Sequence, residues 1–234
     1  MVFNHLRCCV TGEHPLFNIP RHIALDSIKS ISQVVGKLSF PIMCKRRSAC
    51  SSTEAHQMTI IPSPRHLTTN LMEHYQDSEQ VIIQEFIQHD GIIVKVYVAD
   101  GEIHVSTRPS FINITEDADI VHFDSQALPK QFNTSSSAVT QKPSSTLDSF
   151  RQWLLTTDDL QTQKQAHIDH DRLQRIADLL QKQLGLTFFG FDVLLESGTN
   201  DYYVVDVNYF PSFKNVPHFQ PMFINILKKV LRSI

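Results

Sequence analysis

Three oxygen-bearing side chains stand where the sequence otherwise reads as apolar strand. Asp192 interrupts the run 190–195, and Asp206 and Asn208 interrupt the run 203–211. A turn rich in Gly, Asn and Asp (197–201) separates the two runs, so together they predict a β-hairpin. Asp206 and Asn208 are spaced i, i+2 and leave the same face of their strand. A strand aspartate is costly to bury unless something neutralises it. Two carboxylates and an amide oxygen converging on one face describe a hard oxygen site of the kind Mg²⁺ takes. The same pattern also suits a pair of hydrogen-bonded core carboxylates.

Lys45 and Lys95 each lie inside an apolar strand pattern. Such lysines run along a sheet edge or snorkel to water; if both point into one cleft, they are point charges suited to nucleotide phosphates. Gln84 to Ile87 can offer backbone groups to a base, as any strand end can. Arg108 and Ser110 flank Pro109 at a strand end, and His56 and His89 sit at strand–loop junctions. There is no GxxxxGK[ST], GxGxxG or GxSxG, and only seven glycines are available for a phosphate-cradling loop. The candidate chemistry is therefore phosphoryl transfer by charge and metal, not acyl transfer.

Several elements must position these groups. Ile28, Ile31, Val34 and Val35 predict a helix over 24–38, ending near Gly36. Strands are predicted at 40–45, 58–61, 81–87 and 92–98. Asp100-Gly101 is a hairpin turn that returns the chain through 102–108. The polar stretch 46–55 reads as a loop, 67–74 as a short helix and 150–155 as a helical turn. Residues 113–145 read as loop, with a Ser/Thr-rich mobile part from 133 and a mobile region around 130–165. Leu173, Ile176, Leu179, Leu180 and Leu184 mark an amphipathic helix over 169–184, capped by Gly185. A closing helix follows at 221–234. The order predicts an α+β fold of antiparallel sheets with helices on their faces. The expected division is 1–19 irregular, 20–88 one subdomain and 89–234 a second.

The chain has 234 residues, 41% of them hydrophobic, with a net charge of −3. No whole-chain basic field points to nucleic acid, and no apolar run is long enough for a membrane span. Cys8, Cys9, Cys44 and Cys50 form no CxxC, which favours free thiols. With no secretory h-region at the start, a cytoplasmic location is expected, the nucleus remaining open.

Six motifs in order carry a resemblance: 41–45 (PIMCK), 84–89 (QEFIQH), 95–98 (KVYV), 108–110 (RPS), 189–192 (FGFD) and 206–211 (DVNYFP). Over about 20–230 the chain resembles the inositol 1,3,4-trisphosphate 5/6-kinases, also called inositol-tetrakisphosphate 1-kinases, which are ATP-grasp proteins. The resemblance implies an α+β ATP-grasp fold with the nucleotide held between two antiparallel-sheet subdomains. It implies that Asp192, Asp206 and Asn208 bind Mg²⁺, in two ions. Lys45 would contact ATP phosphates, Gln84 and Ile87 the adenine, and Ser125 the ribose. His56, His89, Lys95, Arg108, Ser110 and Ser212 would meet an inositol polyphosphate. Lys95 and Asp206 would be catalytic, in a monomer with no nucleic-acid or membrane partner.

Three departures accompany the resemblance. The family's further N-terminal domain, which adds basic residues to the substrate pocket, is expected to be missing before residue 20. Cys50-Ser51 and one extra residue before His56 replace the family's His-Gly, removing a glycine that eases loop approach to phosphate. Pro211-Ser212 replaces Pro-Gly. An active inositol phosphate kinase, a catalytically weak nucleotide-binding relative and a carboxylate ligase of the same superfamily are thus the competing expectations.

Overall fold

The computed structural model describes residues 15–47, 56–67, 74–130, 132, 150, 153–155, 167–209, 211–213 and 216–231. The expected loop at Cys50, the 67–74 helix for its part at 68–73, and the Ser/Thr-rich stretch from 133 lie outside them. The chain forms two compact units. One takes the described parts of Met1–Ile19, Ile93–Thr107 and Ala166–Ile234; the other takes Pro20–Ile92 and Arg108–Gln165. This division differs from the contiguous segments 20–88 and 89–234, because the chain leaves the second unit at Ile92 and re-enters it at Arg108.

The second unit is built on a five-stranded antiparallel sheet. Its strands are β1 (His22–Leu25), β2 (Ile42–Arg46), β3 (Gln57–Ile61), β4 (Val81–Glu85) and β7 (Val121–Asp124), in the order β1-β4-β2-β3-β7. Ile42, Cys44, Ile61, Val81 and Ile83 face a core with Ile28, Ile31 and Val34. Met43, Lys45, Met58 and Gln84 project from the other face by pleat and register.

The helix expected over 24–38 is not formed. Ala24 and Leu25 belong to β1, and a 3₁₀ helix spans Ile28–Val34, capped by the Ser27 hydroxyl, which accepts from the Lys29 N–H at 3.2 Å. The buried positions 28, 31 and 34 repeat every three residues, which is the 3₁₀ period. Val35, which belongs to an α-helical face only, is 48% exposed. Strand β7 lies inside the stretch expected to be loop: Val121 and Phe123 are buried, His122 and Asp124 are not, and the strand pairs with β3. Arg46, expected in a loop, is the last residue of β2.

The first unit holds a four-stranded sheet, ordered β6-β5-β8-β9. Its strands are β5 (Ile92–Ala99), β6 (Glu102–Pro109), β8 (Phe188–Leu195) and β9 (Tyr202–Tyr209). Asp100 and Gly101 form the β5–β6 turn with φ of 51° and 90°. Helix α1 (His170–Leu184) starts at Asp169, whose carboxylate accepts from the Arg172 N–H at 2.9 Å, and ends at Gly185 with φ 65°. Leu173, Ile176, Ala177 and Leu180 of α1 pack on Val94, Val96, Val98, Phe189, Phe191 and Val193. One sheet face is thereby sealed. The opposite face carries Tyr97, which meets Phe213, Val216 and helix α2 (Phe219–Leu231). No described helix is long and apolar enough to cross a membrane.

Candidate active site

On that second face of the four-stranded sheet, three strands place their polar residues in one row. Lys95 of β5 is opposite Asp192 of β8, and Asp192 is opposite Asp206 of β9. Asn208 lies two residues further along β9, opposite Gly190. The row depends on an irregularity. Val193 pairs with Val204, but Asp192 pairs with Asp206, so Val205 is an extra residue in β9. Such a bulge reverses the phase of the strand. Tyr202 and Val204 point into the α1 core, and after the bulge it is Val207 that does so. Without it Asp206 would face α1. The signal was present in the sequence as a spacing of three, not two, from the apolar position Val204 to Val207.

The Lys95 ammonium is hydrogen-bonded to both oxygens of Asp192, at 2.5 Å to Oδ2 and closer to Oδ1. These side chains are only 15% and 16% exposed. Asp206 and Asn208 are exposed, and the Asn208 amide donates to Asp206 Oδ2 at 2.7 Å. Among the described residues no three His, Cys, Asp or Glu side chains gather as a metal cage. Two carboxylates and an amide oxygen on an open face nevertheless fit Mg²⁺, which takes one or two protein carboxylates and completes its shell with phosphate and water. Gly190 belongs to the same face: a Cβ there would meet Pro211 Cγ at 2.8 Å and the Val96 carbonyl at 3.2 Å. Pro211 can seat on the sheet because Gly190 has no side chain, and the next residue is the exposed Ser212.

The second unit holds the other expected site residues. The Lys45 ammonium donates to the Gln84 amide oxygen at 3.1 Å, on the face they share. Ile87 follows β4, and Ser125 opens a short 3₁₀ turn after β7 that Asp124 caps. His56 directly precedes β3, and Arg108 is half-buried near the end of β6. His89 and Ser110 are not placed as pocket-lining groups. They are 4% and 2% exposed. His89 Nε2 lies 2.7 Å from Ser110 Oγ, and Nδ1 lies 2.6 Å from the Ile87 carbonyl. Burial pushes the imidazole down to about 4, against a smaller opposing pull from the Ile87 carbonyl and Asp90. It is neutral at physiological pH, with Nδ1–H donating to Ile87 and the Ser110 hydroxyl donating to Nε2. His89 and Ser110 form a buried tie between the segment after β4 and the end of β6.

Sequence reasoning missed a second buried network in this unit. Arg46 is bonded to Glu79 and to the His74 carbonyl, and its guanidinium lies 4.6 Å from the Tyr75 ring centre. The Tyr75 hydroxyl donates to Thr59, whose hydroxyl meets His122. Burial in the same place pushes the Cys44 thiol up to about 12, so it is an unreactive apolar filler.

Two sheets with helices packed against them, and polar residues gathered on a face, are compatible with the fold of ATP-grasp proteins. The fold matches solved ATP-grasp structures. A RimK-domain ATP-grasp protein of Sphaerobacter thermophilus aligns with a TM-score of 0.52 and 13% identity, over 92% of this chain and 58% of that one. The macrocyclase MdnC of Microcystis aeruginosa, solved with its precursor peptide, aligns with a TM-score of 0.52 and 12% identity, over 94% and 55%.

Within that class, residues 12–229 match the inositol 1,3,4-trisphosphate 5/6-kinase ATP-grasp domain, and the chain belongs to this family. Inositol-tetrakisphosphate 1-kinase 6 of Oryza sativa is 31% identical over 199 residues, 84% of this chain and 33% of that protein. Inositol-tetrakisphosphate 1-kinase 1 of Arabidopsis thaliana is 25% identical over 88% of this chain and 60% of its own length. The Xenopus laevis enzyme is 26% identical over 88% and 46%. The chain thus spans a third to three-fifths of the curated relatives named here.

Proposed function

We propose that the protein is an ATP- and Mg²⁺-dependent inositol polyphosphate kinase that transfers the γ-phosphoryl group to a ring hydroxyl of an inositol tris- or tetrakisphosphate. The row Lys95–Asp192–Asp206–Asn208 supports this reading: both carboxylates, the amide and the cation stand together on one sheet face of a chain that belongs to this family. Asp192, Asp206 and Asn208 would hold the metal, as two ions, and bound magnesium would offset charge on the transferring phosphoryl group. The remaining roles fall to the protein's own groups. Lys95 and Lys45 offer ammonium charges to phosphate oxygens. Gln84, Ile87 and Ser125 hold the nucleoside. His56, Arg108 and Ser212 meet the inositol phosphate, while the buried His89–Ser110 bond fixes the segment after β4 to the end of β6. No covalent enzyme intermediate is required; position and charge do the catalysis.

The test is incubation with MgATP and a panel of inositol tris- and tetrakisphosphates, with products separated by charge. A product bearing one more phosphate is expected. ATP binding without such a product would favour a catalytically weak nucleotide-binding relative, and joining of a carboxylate to an amine would favour a ligase.

A further inference from the structure

We infer that Lys95 competes with the metal ion for Asp192, so that the metal site opens only when a polyphosphate draws the ammonium away. The inference rests on the kinase reading for the identity of that polyphosphate, but its first measurement needs only the protein and a metal. Both Asp192 oxygens are engaged by the Lys95 ammonium. The pair is five-sixths shielded from solvent, so its attraction is less weakened by water than that of a surface ion pair. An ammonium and a divalent cation seek the same lone pairs, and their like charges oppose sharing one carboxylate. Asp206 and Asn208 are different: they are exposed and bonded to each other, with Asp206 directly across the ladder from Asp192. With these bonds made, the row offers a metal one exposed carboxylate and one carboxylate already neutralised.

A nucleotide changes this balance. Its phosphate oxygens supply a new partner for the ammonium and further ligands for the metal at once. Metal and nucleotide would then bind with positive coupling, and each would raise the affinity for the other by the same factor. Lys95 is in this sense a positioning residue for the metal ligand as well as a phosphate contact.

The experiment is direct Mn²⁺ binding, read by the loss of the free-ion electron paramagnetic resonance signal, without nucleotide. Lys95→Met and Lys95→Gln should bind Mn²⁺ at least about tenfold more tightly than the wild type, and Lys95→Arg should stay near the wild-type value. Adding Asp192→Asn to Lys95→Met should cancel the gain. Equal or weaker Mn²⁺ binding in both charge-removing variants overturns the inference, even if the kinase assay succeeds. A gain in those variants with no ATP binding by the wild type would instead uphold the competition and remove the kinase reading. The wild type supplies a further check: a non-hydrolysable ATP analogue should raise its Mn²⁺ affinity beyond that of the free analogue. That increase should shrink in Lys95→Met.

Discussion

In the four-stranded sheet, Asp206 and Asn208 stand exposed on an open face, and Asp192 is ion-paired with Lys95. In the five-stranded unit, His89 and Ser110 are withdrawn from water, and both ring nitrogens of the histidine are within hydrogen-bond distance of an oxygen. The residue types in both places are those of an active site. Burial and bonding separate their work. A group whose lone pairs and protons are committed inside the protein stabilises a shape. A group with open oxygens on a sealed sheet can exchange its partners for a ligand. Substitutions should therefore split cleanly: changes in the exposed row should affect turnover, and changes in the buried tie should affect stability.

The largest effect is expected at Asp206. Asp206→Ala should lower turnover by about 10³-fold or more, since it removes a carboxylate proposed to hold the metal that offsets charge on the phosphoryl group. Its stability to urea should stay within about 0.5 kcal/mol of the wild type, as for an exposed site. A variant that unfolds readily, or one that keeps its rate, would break the contrast from this side.

His89→Ala tests the other side. It deletes a buried ring and strands the Ser110 hydroxyl and the Ile87 carbonyl, so a loss of about 2–4 kcal/mol is expected. Ser110→Ala removes one partner only and should cost about 1 kcal/mol. Equilibrium unfolding of the two variants measures both. If His89→Ala were stable and merely raised the KM for inositol phosphate, the histidine would belong with the open row after all.

The same tie predicts a pH dependence. The folded His89 titrates near 4, below the ordinary 6.5. Between those values the unfolded chain binds a proton that the folded chain does not, so stability rises with pH across the window. It should be complete above about 6.5 and fall progressively towards pH 4, by on the order of 3 kcal/mol from this residue. His122 is likewise pushed down to about 4 by burial and by the neighbouring His74, and adds to the slope in the same direction. Urea midpoints recorded from pH 7.5 to 4 should show a shallower fall for His89→Asn; parallel curves would contradict the assignment.

Much of this was legible in the residues. The α1 helix, with its Asp169 and Gly185 ends, the Asp100-Gly101 turn and the hairpin bearing Asp192, Asp206 and Asn208 all follow from period and turn chemistry. What was not legible had three physical causes. The 28/31/34 repeat fits a 3₁₀ helix and a ragged α-helix alike, and the pairing of β1 with β4 takes Ala24 and Leu25 out of any helix. Strand β7 has four residues, too short to show alternation above chance, and exists because β3 needs a partner. The depth of His89 is a tertiary fact: no local pattern distinguishes a histidine at a strand end that meets a ligand from one that Ser110 and Ile87 enclose. The candidate site was thus readable where strand register alone sets it, and not where packing does.

The smallest predicted effect asks whether the open face is itself shaped by packing. Gly190 pairs with Asn208, and any side chain there meets Pro211 at 2.8 Å and the Val96 carbonyl at 3.2 Å. The carbonyl belongs to a central strand and cannot retreat without disturbing β5. The proline ring can lift away, carrying the chain towards Ser212 with it. Gly190→Ala should therefore cost only about 1–2 kcal/mol, as overpacking with a movable neighbour does. Its kinetic signature should be sharper than its thermodynamic one. KM for the inositol phosphate should rise while KM for ATP changes little, because the displaced loop carries Ser212 and not the carboxylates. Equal shifts in both constants would mean that the added methyl moves β8 itself, and with it Asp192. Pro211 would then be a bystander, and the open row would owe its geometry to strand register alone.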